Sequence, residues 1–152
     1  MTATETAFKT GHVGLNVSDL NRAKDFYQQV FGFELLGESA QGDKAFAFLG
    51  SGGNIVLTLW QQSTGGFAKD RPGLHHLSFQ VDSIDQVREA EARIRKFGAQ
   101  IHHGGVVPHA EGRDSGGLFF EDPDGIRLEI FAATGAGVNP APHGAAPTCG
   151  FF

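Results

Sequence analysis

Apolar and polar positions alternate early in the chain: Val13, Leu15 and Val17 are separated by Gly14 and Asn16, with His12 just ahead of them. A period of two predicts a strand with one buried face. The period then lengthens. Leu20, Ala23, Phe26, Tyr27, Val30 and Phe31 follow helical spacing, with Ser18 as N-cap, Asp19 at the positive end of the helix and Gly32 as its stop. The segments "FELLGESA", "DKAFAFLG" and "GNIVLTLWQ" read as three further strands.

The same succession returns from residue 73. Leu77, Phe79 and Val81 alternate with His76, Ser78 and Gln80, and Ser83 and Gln86 have the spacing of a capping box. Ile84, Val87, Ala90, Ile94 and Phe97 form the helical stripe, and Gly98 ends it. "AQIHHGG" reads as a weak strand, "GGLFFED" as a stronger one, and "GIRLEIFA" closes the unit. The chain is thus a strand, a helix and three strands written twice, which predicts an α+β fold of two βαβββ modules at 9–61 and 74–132. The stretch 62–73 is a linker, and 133–152 is a Gly/Ala/Pro-rich tail outside the 1–132 domain.

Superposing the halves pairs Val17 with Val81 and therefore His12 with His76. Both histidines fall on the strand face opposite the apolar positions that pack under the helix. By the same parity His75 points the other way. Matching Gly53 to Gly125 sets Glu129 level with Leu57. Glu129 lies between Leu128 and Ile130, where a carboxylate is costly unless paired or bound to a metal. Two imidazoles and one carboxylate converging on one face form a set that leaves open positions on a divalent metal. The alternative is two surface histidines, with Glu129 paired to Arg127 or Arg113.

Other candidates are weaker. His109, in the Gly- and charge-rich "GGVVPHAEGRDSGG", is either a solvated loop residue or an acid/base near bound substrate. Arg113 in the same loop could meet an anionic group. His102 and His103 read as structural. The tail reads as flexible, with docking of Phe151 and Phe152 on a partner or over the cleft as the alternative.

Composition narrows the class. At 152 residues the chain fits one domain or two small halves with a shared core, and its 14 Phe against one Tyr and one Trp make that core Phe-rich. A net charge of −5 with 12 scattered basic residues argues against nucleic-acid binding. The start "MTATETAFKT" has no apolar signal-like region and no membrane-length apolar run occurs, so a cytoplasmic protein is expected. The single cysteine, Cys149, cannot close an intrachain disulfide.

The segments "HVGLNVSDLNRAKDFYQQVFGFEL", "HHLSFQVDSIDQV" and "FFEDPDGIRLEIF" resemble the vicinal oxygen chelate superfamily across residues 9–132. That superfamily includes glyoxalase I, extradiol dioxygenases, fosfomycin-modifying enzymes and bleomycin-binding resistance proteins. The resemblance implies paired βαβββ modules curled round a metal held by His12, His76 and Glu129. Fe(II) or Mn(II) is the expected ion, with Ni, Zn or Co as further options. It also implies a homodimer that exchanges modules, so that His12 of one chain meets His76 and Glu129 of the other. Glyoxalase I is similar but uses a fourth ligand where Leu57 is expected here, and a family tyrosine is replaced by Phe119. A small substrate chelating through adjacent oxygens, in a ring-cleaving or other dioxygen-using reaction, is the first reading. A drug-sequestering protein and a fosfomycin-type thiol transferase are the alternatives. Strand parity places Asn16, Phe46, Phe48, Leu57, Leu59, Ser78 and Phe131 around the substrate.

Overall fold

A computed structural model describes residues 4–152; the first three residues of the N-terminal stretch lie outside the described part. The first module runs β1 (Val13–Asn16), α1 (Leu20–Phe31), β2 (Glu34–Ser39), β3 (Phe46–Ser51) and β4 (Asn54–Trp60). The second runs β5 (Leu77–Gln80), α2 (Ile84–Phe97), β6 (Val107–Pro108), β7 (Gly116–Glu121) and β8 (Arg127–Ala132). The sheets have the same order, β1-β4-β3-β2 and β5-β8-β7-β6, and in each the first strand runs parallel to the last. The expected pair of βαβββ modules is therefore present.

Both helices end as their glycines dictate, with Gly32 and Gly98 in the left-handed conformation that closes a helix C-terminus. Ser83 and Gln86 form the reciprocal capping box. In α1 the cap is one residue later than expected: the Asp19 carboxylate, not Ser18, accepts from the Arg22 N–H at 2.9 Å. Ser18 is taken up elsewhere, because its N–H and hydroxyl both donate to Asp124 of the second module.

The two modules share one core. Phe26 of α1 lies 5.2 Å from the Phe97 ring of α2, and Phe31 lies 4.8 Å from Phe79 of β5. Phe26, Tyr27, Phe120, Leu57, Leu59 and Leu128 are completely buried there. Burial of such side chains stabilises each by about 1.5–3 kcal/mol, which makes this Phe-rich seam the main bond between the halves. A polar clamp adds to it. Tyr27 donates to the Asp122 carboxylate at 2.9 Å, and Arg22 reaches Asp124 at 3.0 Å. The "DPDG" turn thus locks β7–β8 onto α1.

Because the helix-side faces of both sheets serve this core, the opposite faces look outward. β1 and β5 are each the edge of their sheet, with one side of the backbone ladder unpaired. The segment 99–105, expected as a strand, contributes only an isolated bridge from Ile101 to Phe120. Left-handed conformations at His103, Gly104 and Gly105 turn the chain there, so pairing passes to the two residues of β6.

Candidate functional site

Glu129 lies in β8 level with Ser78 of β5 and Phe119 of β7, and all three side chains stand on the outer face of the second sheet. Glu129 is 3% exposed, yet among the described residues no lysine or arginine pairs with its carboxylate. Neither Arg127 nor Arg113 pairs with it; Arg127 donates to the His75 carbonyl, and Arg113 is exposed. Its partners are imidazoles. His76 Nε2 is 3.4 Å from one oxygen and His109 Nε2 is 2.6 Å from the other. Ring nitrogens, and no fixed cation among the described residues, stand beside this buried carboxylate.

His109 is therefore not a solvated loop residue. It follows β6 directly, and its N–H donates to the Ser115 carbonyl at 2.9 Å, which closes a hairpin. Across that hairpin its Nδ1 lies 2.9 Å from the Ser115 hydroxyl. Ser115, His109 and Glu129 thus form a hydrogen-bonded row. The histidine and serine flanking the turn were the sequence signal for it. An open cleft of about 530 Å³ leads to this row, lined by His109, Glu111, Arg113, Ser115, Ala145 and Pro147. A larger groove of about 600 Å³, between α2 and the tail, contains none of the residues expected at the site.

His75 does not point away from His76 as strand parity suggested. Both residues precede β5, where the alternation does not hold, and their Nδ1 atoms are 2.9 Å apart. One ring must donate and the other accept. Burial lowers the His76 pKa, with His75 and Arg127 acting in the same direction and Glu129 opposing them. His102 is held by Glu121 at 2.9 Å, and Glu121 in turn by Lys69 at 2.6 Å.

His12 is elsewhere. It is exposed and lies one residue ahead of β1. Among the described residues no three His, Cys, Asp or Glu side chains converge as a metal cage within the chain. The donor set implied by the family resemblance is thus divided: His76 and Glu129 are together, and His12 stands at the other module's open edge.

The expected alignment of Leu57 with Glu129 is off by one. Gly14 pairs with Thr58 as Ser78 pairs with Glu129, and Phe48 pairs with Thr58 as Phe119 pairs with Glu129. A bulge in the β3–β4 register, between the Gly50–Ile55 and Leu49–Leu57 pairs, inserts the extra residue. Leu57 and Leu59 consequently face the core, fully buried, and do not line the outer face. Thr58, whose hydroxyl accepts from the Trp60 indole at 3.0 Å, holds the position equivalent to Glu129. Phe46, Phe48 and Trp60 cluster beside it, half-buried. Asn16 lies at the end of β1, where its side chain accepts from the Gln62 N–H. Phe131 stands 5.1 Å from the His109 ring.

Residues 9–130 match the family model for the Glyoxalase/Bleomycin resistance protein/Dioxygenase superfamily. The chain belongs to this superfamily. Among curated relatives, the lactoylglutathione lyase of Escherichia coli O157:H7 is 32% identical, with 83% of this chain and 93% of that protein covered. The catechol-2,3-dioxygenase of Bacillus subtilis is 26% identical over 87% of this chain, which spans only 44% of that protein's length. A glyoxylase/bleomycin resistance protein/dioxygenase domain from Frankia sp. EAN1pec superposes with a TM-score of 0.70 at 29% identity, covering 84% of this chain and 99% of that one. The fosfomycin resistance protein FosX of Listeria monocytogenes, solved with Mn(II) and 1S,2S-dihydroxypropylphosphonic acid, superposes at 0.62 with 24% identity. It covers 85% of this chain and 93% of its own, and shows the shared fold. The described residues include no helix long and apolar enough to cross a membrane.

Proposed function

We propose that this superfamily member is a divalent-metal-dependent enzyme acting on a small substrate that chelates through adjacent oxygens. The observation that carries the reading is Glu129: a buried carboxylate whose close polar partners among the described residues are the ring nitrogens of His76 and His109. Carboxylate and neutral imidazole are the donors that Fe(II) and Mn(II) accept. His76 and Glu129 would hold the ion, with His12 as the third ligand supplied by a second copy of the chain. The open edges of β1 and β5, each with its histidine at the same end, support that pairing. The resulting homodimer would complete two equivalent sites.

When bound, a divalent ion supplies Lewis acidity and a template for substrate and dioxygen. The protein's own residues do the rest. His109, with Ser115 on its far nitrogen and Glu129 on the near one, is placed to exchange a proton with the Glu129 carboxylate at Nε2. Phe119 and Phe131 pack against the His109 ring at 6.3 and 5.1 Å, and Ser78 and Arg113 offer polar contacts at the edge. Asn16 and Phe48 would join from the partner's first module. A ring-cleaving reaction is favoured over glyoxalase-type isomerisation, because Thr58 supplies no second carboxylate for the proton shift.

Metal content tests the site. Protein purified anaerobically should carry close to one ion per chain, and His76→Ala should lose it; unchanged content in that variant would defeat the assignment. Mixing His12→Ala with His76→Ala chains should restore part of the metal, since one intact site forms in each mixed dimer. No restoration would place all ligands within one chain. Turnover of catechols under air would separate an enzyme from a protein that only sequesters its ligand.

A further inference from the structure

The last twenty residues are not free. Ala136 is fully buried and donates to the Asp114 carbonyl at 2.9 Å, and Asn139 reaches the Val106 carbonyl at 3.0 Å. Glu111 N–H donates to the Gly144 carbonyl. Thr148, with no exposed surface, is pinned twice: its N–H to the His109 carbonyl and its hydroxyl to the Pro108 carbonyl, both at 2.7 Å. A single 3-10 turn (Thr148–Gly150) then reverses the chain and sets Phe152 on the outer face of the second sheet.

Four rings surround Phe152 there. Phe119 lies 5.0 Å away, His76 5.6 Å, His102 5.6 Å and His75 6.5 Å, with interplanar angles of 65°, 68°, 70° and 74°. Four neighbours set steeply to one central ring form a box, and the geometry is the favourable edge-to-face one. Three of its walls are histidines fixed by other contacts: His76 by Glu129, His75 by His76, and His102 by Glu121. The box is thus built by the second module, while its occupant arrives on the tail.

We infer that this box is a binding site for a planar aromatic ring and that Phe152 is its internal occupant, displaced when such a ligand binds. A tail that closes over the site lowers the apparent affinity for any competing ring by the fraction of time the box is open. The tail is built for exchange: its attachment at Thr148 is firm and extends to the Phe151 N–H, which donates to the Thr148 carbonyl at 3.1 Å, while the contacts of Phe152 beyond that turn are those of its ring. The inference does not require a metal on Glu129.

The test uses full-length, metal-free protein and 4-fluorophenol, followed by fluorine NMR. Phe152→Ala should bind the probe about tenfold more tightly than the parent chain, as expected for an occupant present about nine-tenths of the time. Phe152→Leu should fall between them. In parallel, diethyl pyrocarbonate should modify the partly buried His76 and His102 several-fold faster in Phe152→Ala, with the exposed His12 unchanged as the internal control. Equal or weaker probe binding by Phe152→Ala would show that the ring is a wall and not an occupant, and equal modification rates would show that it covers nothing. Either result overturns the inference, and neither bears on metal content in His76→Ala.

Discussion

The outer faces of the two sheets differ more than anything else in the molecule. At the equivalent positions the first carries Gly14 and Thr58, bordered by Phe46, Phe48 and Trp60; the second carries Ser78 and Glu129, bordered by Phe119 and His109 and covered by Phe152. The inner faces do not diverge in this way, because both pack into one core and any polar residue there would be stranded. A duplicated module is thus constrained on the side it shares and free on the side it does not. Charge chemistry has settled on one outer face only, and the other module offers a histidine and an aromatic surface.

The sharpest way to break this comparison is to move the carboxylate. If Thr58 is the counterpart of Glu129, Thr58→Glu should fold, since that side chain, though 3% exposed, stands on the outer face beside Gly14 and not in the shared core. Leu57→Glu should be far less stable, because it drives a charge into the fully buried core. We expect the two variants to differ by at least about 3 kcal/mol in urea unfolding. Equal losses would mean that the bulge in β3–β4 does not separate the faces. Thr58→Glu should also hold a divalent ion more firmly, by giving the first module the carboxylate it lacks.

That bulge explains much of what the sequence did and did not reveal. Long periodic elements were legible: both helices, their glycine stops, the Ser83–Gln86 box and the apolar faces of β1 and β5 all follow from local spacing. Glu129 was legible too, as a charge between Leu128 and Ile130. Leu57 was misplaced because a single inserted residue reverses strand parity, and matching Gly53 to Gly125 passes over Gly50, the glycine at the register shift. His75 was misplaced for a related reason, since alternation was extended to residues outside the strand. Ser18 lost the cap to Asp19 because the distant Asp124 claims it. The bond from His109 to Glu129 spans 20 residues, and the seat of Phe152 depends on pinning by Thr148; neither has a periodic signature.

The seam between the halves makes a pH prediction. Asp122 accepts from the Asp124 and Ile126 N–H groups and from the Tyr27 hydroxyl, but burial outweighs these bonds and pushes its pKa up to about 6. Burial and Asp122 together raise the Tyr27 pKa as well. Because the folded chain holds the Asp122 proton more tightly than the unfolded chain does, this group's contribution is fully present below about pH 4 and is lost as pH rises through about 6. Glu121 acts oppositely and lower on the scale, since Lys69 and His102 outweigh its desolvation and lower its pKa. Asp122→Asn keeps an oxygen for the two backbone donors and removes the titration. It should flatten the fall in stability between pH 4 and 6, a slope worth up to about 3 kcal/mol, in urea midpoints measured across that range. An unchanged slope would place the titration elsewhere.

The smallest contrast lies at the helix starts. Asp19 caps α1 with one charged oxygen, 2.9 Å from the Arg22 N–H, whereas Ser83 caps α2 with a neutral hydroxyl 3.3 Å from the Gln86 N–H. Removing a cap costs about 1 kcal/mol, and a charge at the positive helix end adds a few tenths. The α2 start has a reserve that α1 lacks: Gln86 also accepts from the Asp82 N–H at 2.8 Å, a bond that survives loss of the Ser83 hydroxyl. Asp19→Ala should therefore lower the thermal midpoint more than Ser83→Ala, and raising the salt concentration should narrow the gap by screening the Asp19 charge. The reverse order would mean that the Gln86 side chain is held in place by Ser83, so that one substitution dismantles the whole capping box.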